Sequence, residues 1–578
     1  MAENILPPKG GMISFKINID GSEISSTYQV ISLDVTKEIN RIPTASIMLQ
    51  DGDPSTGEFE ATDSDDFKPG NEIEIALGYD GDNEVVFKGI ITKIRIKIRR
   101  NGDSVLMVEA KNKAIKMTVG RKSKYFYESK DSDVMSEIMG EYGDHSLSFE
   151  DTVLEHPELV QYRSTDWDFV LSRVEANGKI CFVDDDFIIV QAPNPNLGAQ
   201  FTLQFGTNVY SFDASIDARD QLKNVTAQGW DFGDQEIIVA EAQEPSIDGM
   251  GNLSAEDLAD VIGTDPYVIS HGGKTDQAEL QAWADAQLLR NRMAKIQGNL
   301  SIQGNAEITP TNTIELDGFG ERFNGKIYVS AIKHQVEDGN WITYIQFGMN
   351  PEWFTETYEV SEKEASGLFP AIQGLQVGLV TQLKDDPDGE ERILVRLPMI
   401  NPEEQGIWAR VSCLDAGENR GTFFRPEIGD EVIVGFINDD PNDAIILGMM
   451  NSSAKPAPLV ASDDNHEKGI FTRSKMKILF NDDEESITIK NDQDNQVLIT
   501  DSSIELSDKN GNKIIMNEDG IEINSAKDII LNAQGDLKAD GLNVEISALA
   551  QAKISGNAGA ELSTSAIAVV KGSLVQIN

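Results

Sequence analysis

Apolar and polar residues alternate with period two through much of this chain, in runs such as ISFKINI (13–19), ASIMLQD (45–51) and NEIEIALGY (71–79). Such alternation places every second side chain on one buried face of a strand, and predicts antiparallel sheet early in the chain. Helical periodicity is rarer. DSDVMSEIMGEYG (131–143) pairs Val134 with Ile138 and Met135 with Met139, and STDWDFVLSRVEANG (164–178) starts at Ser164 or Thr165 and stops at Gly178. A third helix, DQAELQAWADAQLLRNRMAKIQG (276–298), sets Leu280, Trp283, Ala284 and Leu288 on one face, with Asp276 and Glu279 placed as a capping box.

From Gln376 to about Ser452 several short alternating strands are separated by Gly, Asp and Pro turns, which predicts a small barrel of the OB-fold kind. Beyond it the strongest signal in the chain begins. Short apolar triplets start near Ile478, Ile487, Val497, Ile504, Ile514, Ile521, Ile529, Leu537, Val544, Ala552 and Ala560, with glycines such as Gly511, Gly520, Gly535, Gly541 and Gly556 between them. Each triplet is half apolar and too short to form a stable sheet alone, so the repeats must stack and share a core. A single-chain β-solenoid would satisfy that need with a thin core. Three chains wound together would satisfy it more fully, by pairing the backbone groups and covering the strand edges.

At 578 residues the chain is expected to hold several domains, and its 40% hydrophobic content supports globular folding. With 97 acidic against 49 basic residues the formal charge is −48, which disfavours binding to nucleic acid or anionic membrane through a general positive field. Cys181 and Cys413 are too few and too far apart for a disulfide framework or a Cys-based zinc site. Neither a signal peptide nor an apolar run of about 20 residues is present, so synthesis as a soluble cytosolic species is expected.

Catalytic signatures fail on their spacing. HGGKT (271–275) resembles the end of a phosphate-binding loop, but the first glycine of that motif would fall on Val268. Asp492 and Asp494 have EF-hand spacing, yet Val497 stands where glycine is needed and Ser503 where the closing glutamate belongs. Asp184, Asp185 and Asp186, between two apolar runs, read as a hairpin turn. His145, His156, His271, His334 and His466 lack ligand spacing. No cofactor, metal or catalytic residue is expected, and carboxylate pairs are uninformative in so acidic a chain.

The order of parts, a large mixed domain, a small barrel and a repetitive β-tail, resembles the VgrG family of spike proteins of type VI secretion and related contractile injection systems, similar in turn to a fused hub and needle of contractile phage tails. In the hub, QYRSTDWDFVLSRVEANG (161–178) carries Thr165, Asp166, Phe169, Arg173 and Gly178, and FNGKIYVSAIKHQVEDGNWITYIQFG (323–348) carries His334 and Trp341. In the barrel, WARVSCLDAGENRGTFFRPEIGDEVIVGF (408–436) and the following DDP carry Trp408, Arg410, Pro426, Glu427, Gly429, Asp430 and Pro441. One departure is TPTNTIEL (309–316), where Thr311 follows Pro310 in place of the family's Pro-Gly.

The resemblance implies a mainly β, multidomain protein: an α+β hub with β-barrels over 1–365, a linker at 366–375, an OB-fold over 376–452, a linker at 453–467, and a trimeric interwound β-helix needle over 468–578. It implies a non-enzymatic homotrimer at the end of an inner tube of Hcp-like protein, contacting baseplate proteins, carrying a PAAR-type tip protein or effector cargo, and touching a target membrane on delivery outside the cell. Read with the repeats, it places Ile504, Leu506, Ile514, Met516, Ile521, Ile523, Ile529, Leu531, Leu537, Val544, Ile546 and Ile554 in the needle core. About thirteen strand passes at ~4.8 Å each give a needle on the order of 60 Å, narrowing where Ala539, Ala552 and Ala560 replace larger residues. Leu574, Val575 and Ile577 are expected to dock the tip protein. Alternatives are the baseplate hub of a contractile phage tail and a polysaccharide-degrading tailspike enzyme; about 20 residues between Gly448 and Lys468 leave no room there for a catalytic domain.

Overall fold

The structure, a computed structural model, describes residues 5–100, 104–248 and 250–577. Residues 1–4 and Asn578, at the outer bounds of the expected hub and needle, lie outside the described residues. Two compact units divide the chain: Met1–Gln373 with Phe436–Asp443, and Gly374–Gly435 with Ala444–Asn578.

The first unit is organised by one large, mainly antiparallel sheet. Strands Gln29–Glu38 and Thr44–Gln50 pair so that Leu33 faces Ile47 and Val35 faces Ala45, all buried, while Ser46 and Thr36 look the other way. Their apolar face joins Ile17, Ile75, Leu77, Phe87, Ile91 and Leu106 in a first core. A second core forms around Leu203, Ile296, Leu300, Ile302, Ile314 and Ile327. One long hairpin, Gly325–Glu337 with Asn340–Phe347, belongs to both. Val336 and Trp341 near its tip enter the first core, whereas Val329, Ile332, Ile345 and Phe347 near its base enter the second. Its turn, Asp338-Gly339, has positive φ at both residues (50° and 71°), the conformation that lets a two-residue loop match the strand twist.

Helices Asp131–Gly140 and Asp166–Ala176 pack with the hairpin Ile180–Asp184 and Phe187–Gln191 around Met135, Val170, Leu171, Val174 and Val190. The acidic triplet lies at that hairpin's turn, with Asp184 paired to Phe187 and Asp185 at φ 50°. The helix Gln277–Met293 buries Leu280, Ala284 and Leu288 against strands Val225–Asp231 and Glu236–Glu241. Its expected capping box does not form. Asp276 accepts from the Ala278 N–H, but Glu279 reaches sideways, its Oε1 3.4 Å from Arg173 Nη2. A helix that the apolar pattern did not predict, Ala255–Ile262, starts on a Ser254/Asp257 capping box and ends on Gly263 in the left-handed region. With eight residues it is too short for periodicity to show.

In the second unit Gln376–Gln382, Ile393–Arg396, Ile407–Val411, Ala444–Met449 and Glu431–Phe436 close into a barrel around Val380, Ile393, Val395, Ala409, Val432, Val434 and Ile446. Gly378 permits the closure, since a Cβ there would lie 2.4 Å from Val395 Cγ1 and 2.9 Å from Val434 Cγ2.

After the barrel, strands Glu467–Phe471, Lys477–Asn481, Ser486–Lys490, Gln496–Ile499, Ile504–Ser507, Lys513–Asn517 and Gly520–Asn524 form an antiparallel meander in which each pairs with the next in sequence. Within one chain, each strand from 467 to 524 thus finds its neighbour next in sequence, in the region where an interwound form over 468–578 is expected. Short polar connections with positive φ at Lys475, Glu485, Asp494, Gly511 and Gly520 fold the chain back on its own preceding strand. Over 525–577 the described residues form no helix or strand within the chain.

Thr311 adopts φ 76°, so the bend that Pro-Gly would make is kept by a β-branched residue in the region that favours glycine. Its N–H still donates to the Val329 carbonyl at 2.9 Å. Thr311→Gly should therefore stabilise the protein by about 1 kcal/mol, read as a rise in the unfolding midpoint. A lowered midpoint would contradict the strain.

Candidate functional site

The hub motif builds a scaffold of buried charge. Thr165 caps its helix, its Oγ1 accepting from the Asp168 N–H at 3.1 Å, and Gly178 leaves the helix end at φ 65°. Arg173 grips Asp131, which is 2% exposed, through Nε to Oδ1 at 2.6 Å and Nη2 to Oδ2 at 3.0 Å. Asn177 Nδ2 and His156 Nε2 also reach Asp131 Oδ2, at 2.9 and 3.1 Å. Burial pushes the Asp131 carboxyl upward, but these bonds, led by Arg173, outweigh it and hold it below its ordinary value.

Asp166 is treated alike. Gln161 donates to its Oδ1 at 2.8 Å, and Lys122 and Tyr142 to its Oδ2 at 2.6 and 2.5 Å. Burial raises this carboxyl too, and the three donors bring it below the ordinary range. Phe169 stacks on Phe126 with ring centroids 6.2 Å apart. These partners come from separate segments, and no local spacing connects Asp131, His156, Arg173 and Asn177. Sequence reasoning missed Asp131 and His156 for that reason. It also missed the buried Glu175–Arg290 ion pair at 2.8 Å, where Glu175 further accepts from the Phe354 N–H at 2.6 Å.

His334 is fully enclosed, with Nδ1 3.0 Å from Thr343 Oγ1 and its ring edge-on to Trp341 at 5.8 Å. Trp341 fills the space over Gly304, where a Cβ would lie 2.0 Å from its ring. These residues pack a core and present nothing to a substrate.

The barrel motif is likewise architectural. At the turn before strand Glu431–Phe436, Gly429 takes φ 84° and donates to the Val380 carbonyl at 2.7 Å, while Asp430 Oδ2 accepts from the Glu427 N–H at 2.9 Å. Lys455 bonds Asp430 Oδ1 at 2.8 Å and the Gly429 carbonyl at 2.6 Å, and Arg473 pairs with Glu427 at 2.8 Å. Pro426 is buried, Trp408 half-buried on its strand, and Arg410 exposed; Pro441 sits in the turn between the last two barrel strands. Among the described residues no group of three or more His, Cys, Asp or Glu side chains is placed to hold a metal. Nor is any helix among them long and apolar enough to cross a membrane.

What stands open is the C-terminal sheet. Its register stacks one apolar face across the strands: Ile470 opposite Ile478, Ile478 opposite Ile489, Ile489 opposite Val497, Val497 opposite Leu506, Leu506 opposite Ile514, and Ile514 opposite Ile523. A second row runs Ile499, Ile504, Met516, Ile521. The first row lines an open groove of about 860 Å³, joined by Phe424 and Ile529. Ile521 and Ile523 remain 73% and 54% exposed. The expected core residues thus divide: Ile504, Leu506, Ile514, Met516, Ile521 and Ile523 lie on meander strands, whereas Ile529, Leu531, Leu537, Val544, Ile546 and Ile554 lie beyond the last strand, exposed. Leu574, Val575 and Ile577 are exposed as well. Contiguous apolar surface of this extent marks an interaction site.

Residues 376–450, the barrel, match the family model of the type VI secretion system/phage-baseplate injector OB domain. Residues 9–338, more than half of the chain, match that of the Alg8 N-terminal domain, and the chain belongs to this family. The type VI secretion system spike protein VgrG1a of Pseudomonas aeruginosa is 31% identical over 116 residues, covering 18% of this chain and 17% of the relative. VgrG1c of the same organism is 36% identical over 116 residues, covering 18% and 15%. The chain thus spans less than a fifth of the length of these curated relatives, and within those segments it is VgrG-like, in agreement with the resemblance read from the sequence. Among solved structures, the 43 kDa tail protein of prophage MuSo2 from Shewanella oneidensis aligns over 59% of this chain and 98% of its own, at 12% identity and TM-score 0.45.

Burial pushes the His334 imidazole down from 6.5 to about 3, with the Lys37 charge adding to the effect. Between those values the unfolded chain binds a proton that the folded chain does not, so stability falls as pH drops through the window and is complete above it. The expected slope is about 1.4 kcal/mol per pH unit at its steepest. His145, also lowered by burial, adds a slope of the same sign, so the difference between proteins is what counts. Denaturant unfolding at pH 7 and pH 5 should show a weaker pH dependence for His334→Gln than for the parent. An equal dependence would contradict the burial of a neutral His334.

Proposed function

We propose that this chain is the hub-and-spike subunit of a contractile injection machine, acting as a homotrimer. The observation that supports the reading most is the C-terminal segment: an apolar sheet face left as an open groove among the described residues, followed by some fifty residues, 525–577, without in-chain strand pairing. Water cannot stabilise that arrangement, and two further copies of the same segment supply both apolar cover and backbone partners. The injector OB domain and the VgrG relatives point to the same role. In this reading the meander is the root of the needle, and the interwound part begins after Asn524.

The function is then mechanical. An interwound, closed β-structure loads many backbone hydrogen bonds together, so thrust passes along it without bending. The hub sits on an Hcp-like inner tube within a baseplate, and a PAAR-type tip protein or cargo rides on the needle. The acidic balance of the chain limits adhesion to nucleic acid and anionic lipid on the way.

Native mass spectrometry should find a trimer. Ile521→Asp with Ile523→Asp would bury carboxylates from three chains near one axis, each uncompensated charge costing roughly 3–5 kcal/mol, and should yield monomers. A stable trimer with unchanged heat resistance would remove those residues from the interface. For the tip, deleting residues from Leu574 onward should abolish capture of a PAAR-type protein and leave the trimer intact; undiminished capture would refute docking there.

A further inference from the structure

The strand Asp82–Ile98 ends in a dense basic run that the hub's architecture leaves unused. Lys93, Arg95, Lys97, Arg99 and Arg100 fall within eight residues that contain no acid, in a chain of net charge −48. Lys93 pairs with Glu109 at 2.7 Å, but among the described residues no carboxylate pairs with Arg95, Lys97, Arg99 or Arg100. All four are exposed, and Ile96 and Ile98 between them are exposed as well. From Thr92 to Ile98 this strand pairs on one side only, with Ser104–Lys111; strand Glu72–Tyr79 leaves its other side at Ile90. Lysines on a free edge do ward off aggregation. That role explains neither the exposed isoleucines nor the arginines.

Directly beside the hairpin lies its electrostatic opposite. The segment 51–66, DGDPSTGEFEATDSDD, holds seven acidic residues and no basic one. It leaves the sheet at the same end, since Gln50 pairs with Val105 and the Asp51 N–H donates to the Ser104 carbonyl at 3.2 Å. Some of its carboxylates are occupied: Asp51 accepts from the Ala61 and Thr62 N–H groups at 3.0 and 2.8 Å, and Tyr28 donates to Asp66 at 2.9 Å. Glu58 and Asp63 are exposed, and among the described residues their side chains have no hydrogen-bond or ion-pair partner. Free basic and free acidic groups therefore stand at one end of one sheet without satisfying each other.

We propose that the basic hairpin of one copy docks against the acidic 51–66 loop of the next copy, a heterologous contact repeated around the ring. This inference rests on the homotrimer proposed above. Each chain offers both halves of the contact, which is what a closed cyclic assembly requires of a head-to-tail interface. Complementary charge fixes the register and excludes copies approaching in the wrong orientation. A nucleic acid or anionic membrane fits less well, because the acidic loop at the same end repels a polyanion.

Subunit exchange tests the contact, since a chain leaves the ring only after every interface, this one included, has opened. Two mass-labelled populations are mixed and followed by native mass spectrometry at low and high salt. Arg95→Glu with Lys97→Glu should speed exchange about tenfold at low salt, and Glu58→Lys with Asp63→Lys should do the same. The four substitutions together should restore the parent rate, which also shows that the variants fold, and high salt should erase the differences. Trimers that exchange at the parent rate in either two-site variant, or no restoration in the combination, would overturn the contact while leaving the trimer standing. A monomeric parent protein would overturn the trimer itself and this contact with it. Duplex DNA bound by the parent and lost on hairpin reversal, with exchange unchanged, would overturn the contact in favour of a polyanion.

Discussion

Backbone and apolar groups left without partners in their own chain are the constraint on which the rest of this molecule turns. An amide removed from water needs a hydrogen-bond partner, and a sheet with one apolar face needs cover. The hub and the barrel meet both demands internally. The C-terminal segment does not: its meander satisfies the backbone but leaves the face from Ile470 to Ile523 open, and residues 525–577 form no helix or strand within the chain and leave their apolar side chains exposed. The proposed assembly answers that deficit, and the proposed mechanical role rests on the assembly.

The spike role proposed above also asks for a rigid base. The hub supplies one by tying its helical layer with buried, paired charge: Asp131 under Arg173, Asp166 under Lys122 and Tyr142, and Glu175 under Arg290. Breaking any of these would strand a charge in a low-dielectric interior, so the network resists partial opening. The hairpin Gly325–Phe347 adds a second tie, because its two ends sit in different cores and neither core can shift without the other.

Much of this was legible in sequence where the signal is local. Thr165 and Gly178 bracket a helix, Asp184–Asp186 make a turn, and the barrel strands announce themselves by alternation. Failures came where distant residues decide. Asp276 and Glu279 have capping-box spacing, yet Arg173 draws Glu279 away, a tertiary charge winning over a local bond. The triplets from Ile478 to Ile521 specify strands, but period-two alternation says nothing about which chain supplies the neighbour; within one chain, positive φ at Glu485, Asp494 and Gly511 folds each strand back on the one before. The basic run at Lys93–Arg100 is plain as composition, whereas its placement beside an acidic loop is visible only in the sheet register.

Hydrogen exchange of the backbone amides in the native assembly tests the central claim most directly. If residues 525–577 are paired with other copies, their amides should be protected as strongly as those of the meander strands Glu467–Asn524. Exchange of 525–577 at the rate of an unstructured peptide, with the meander protected, would contradict the account.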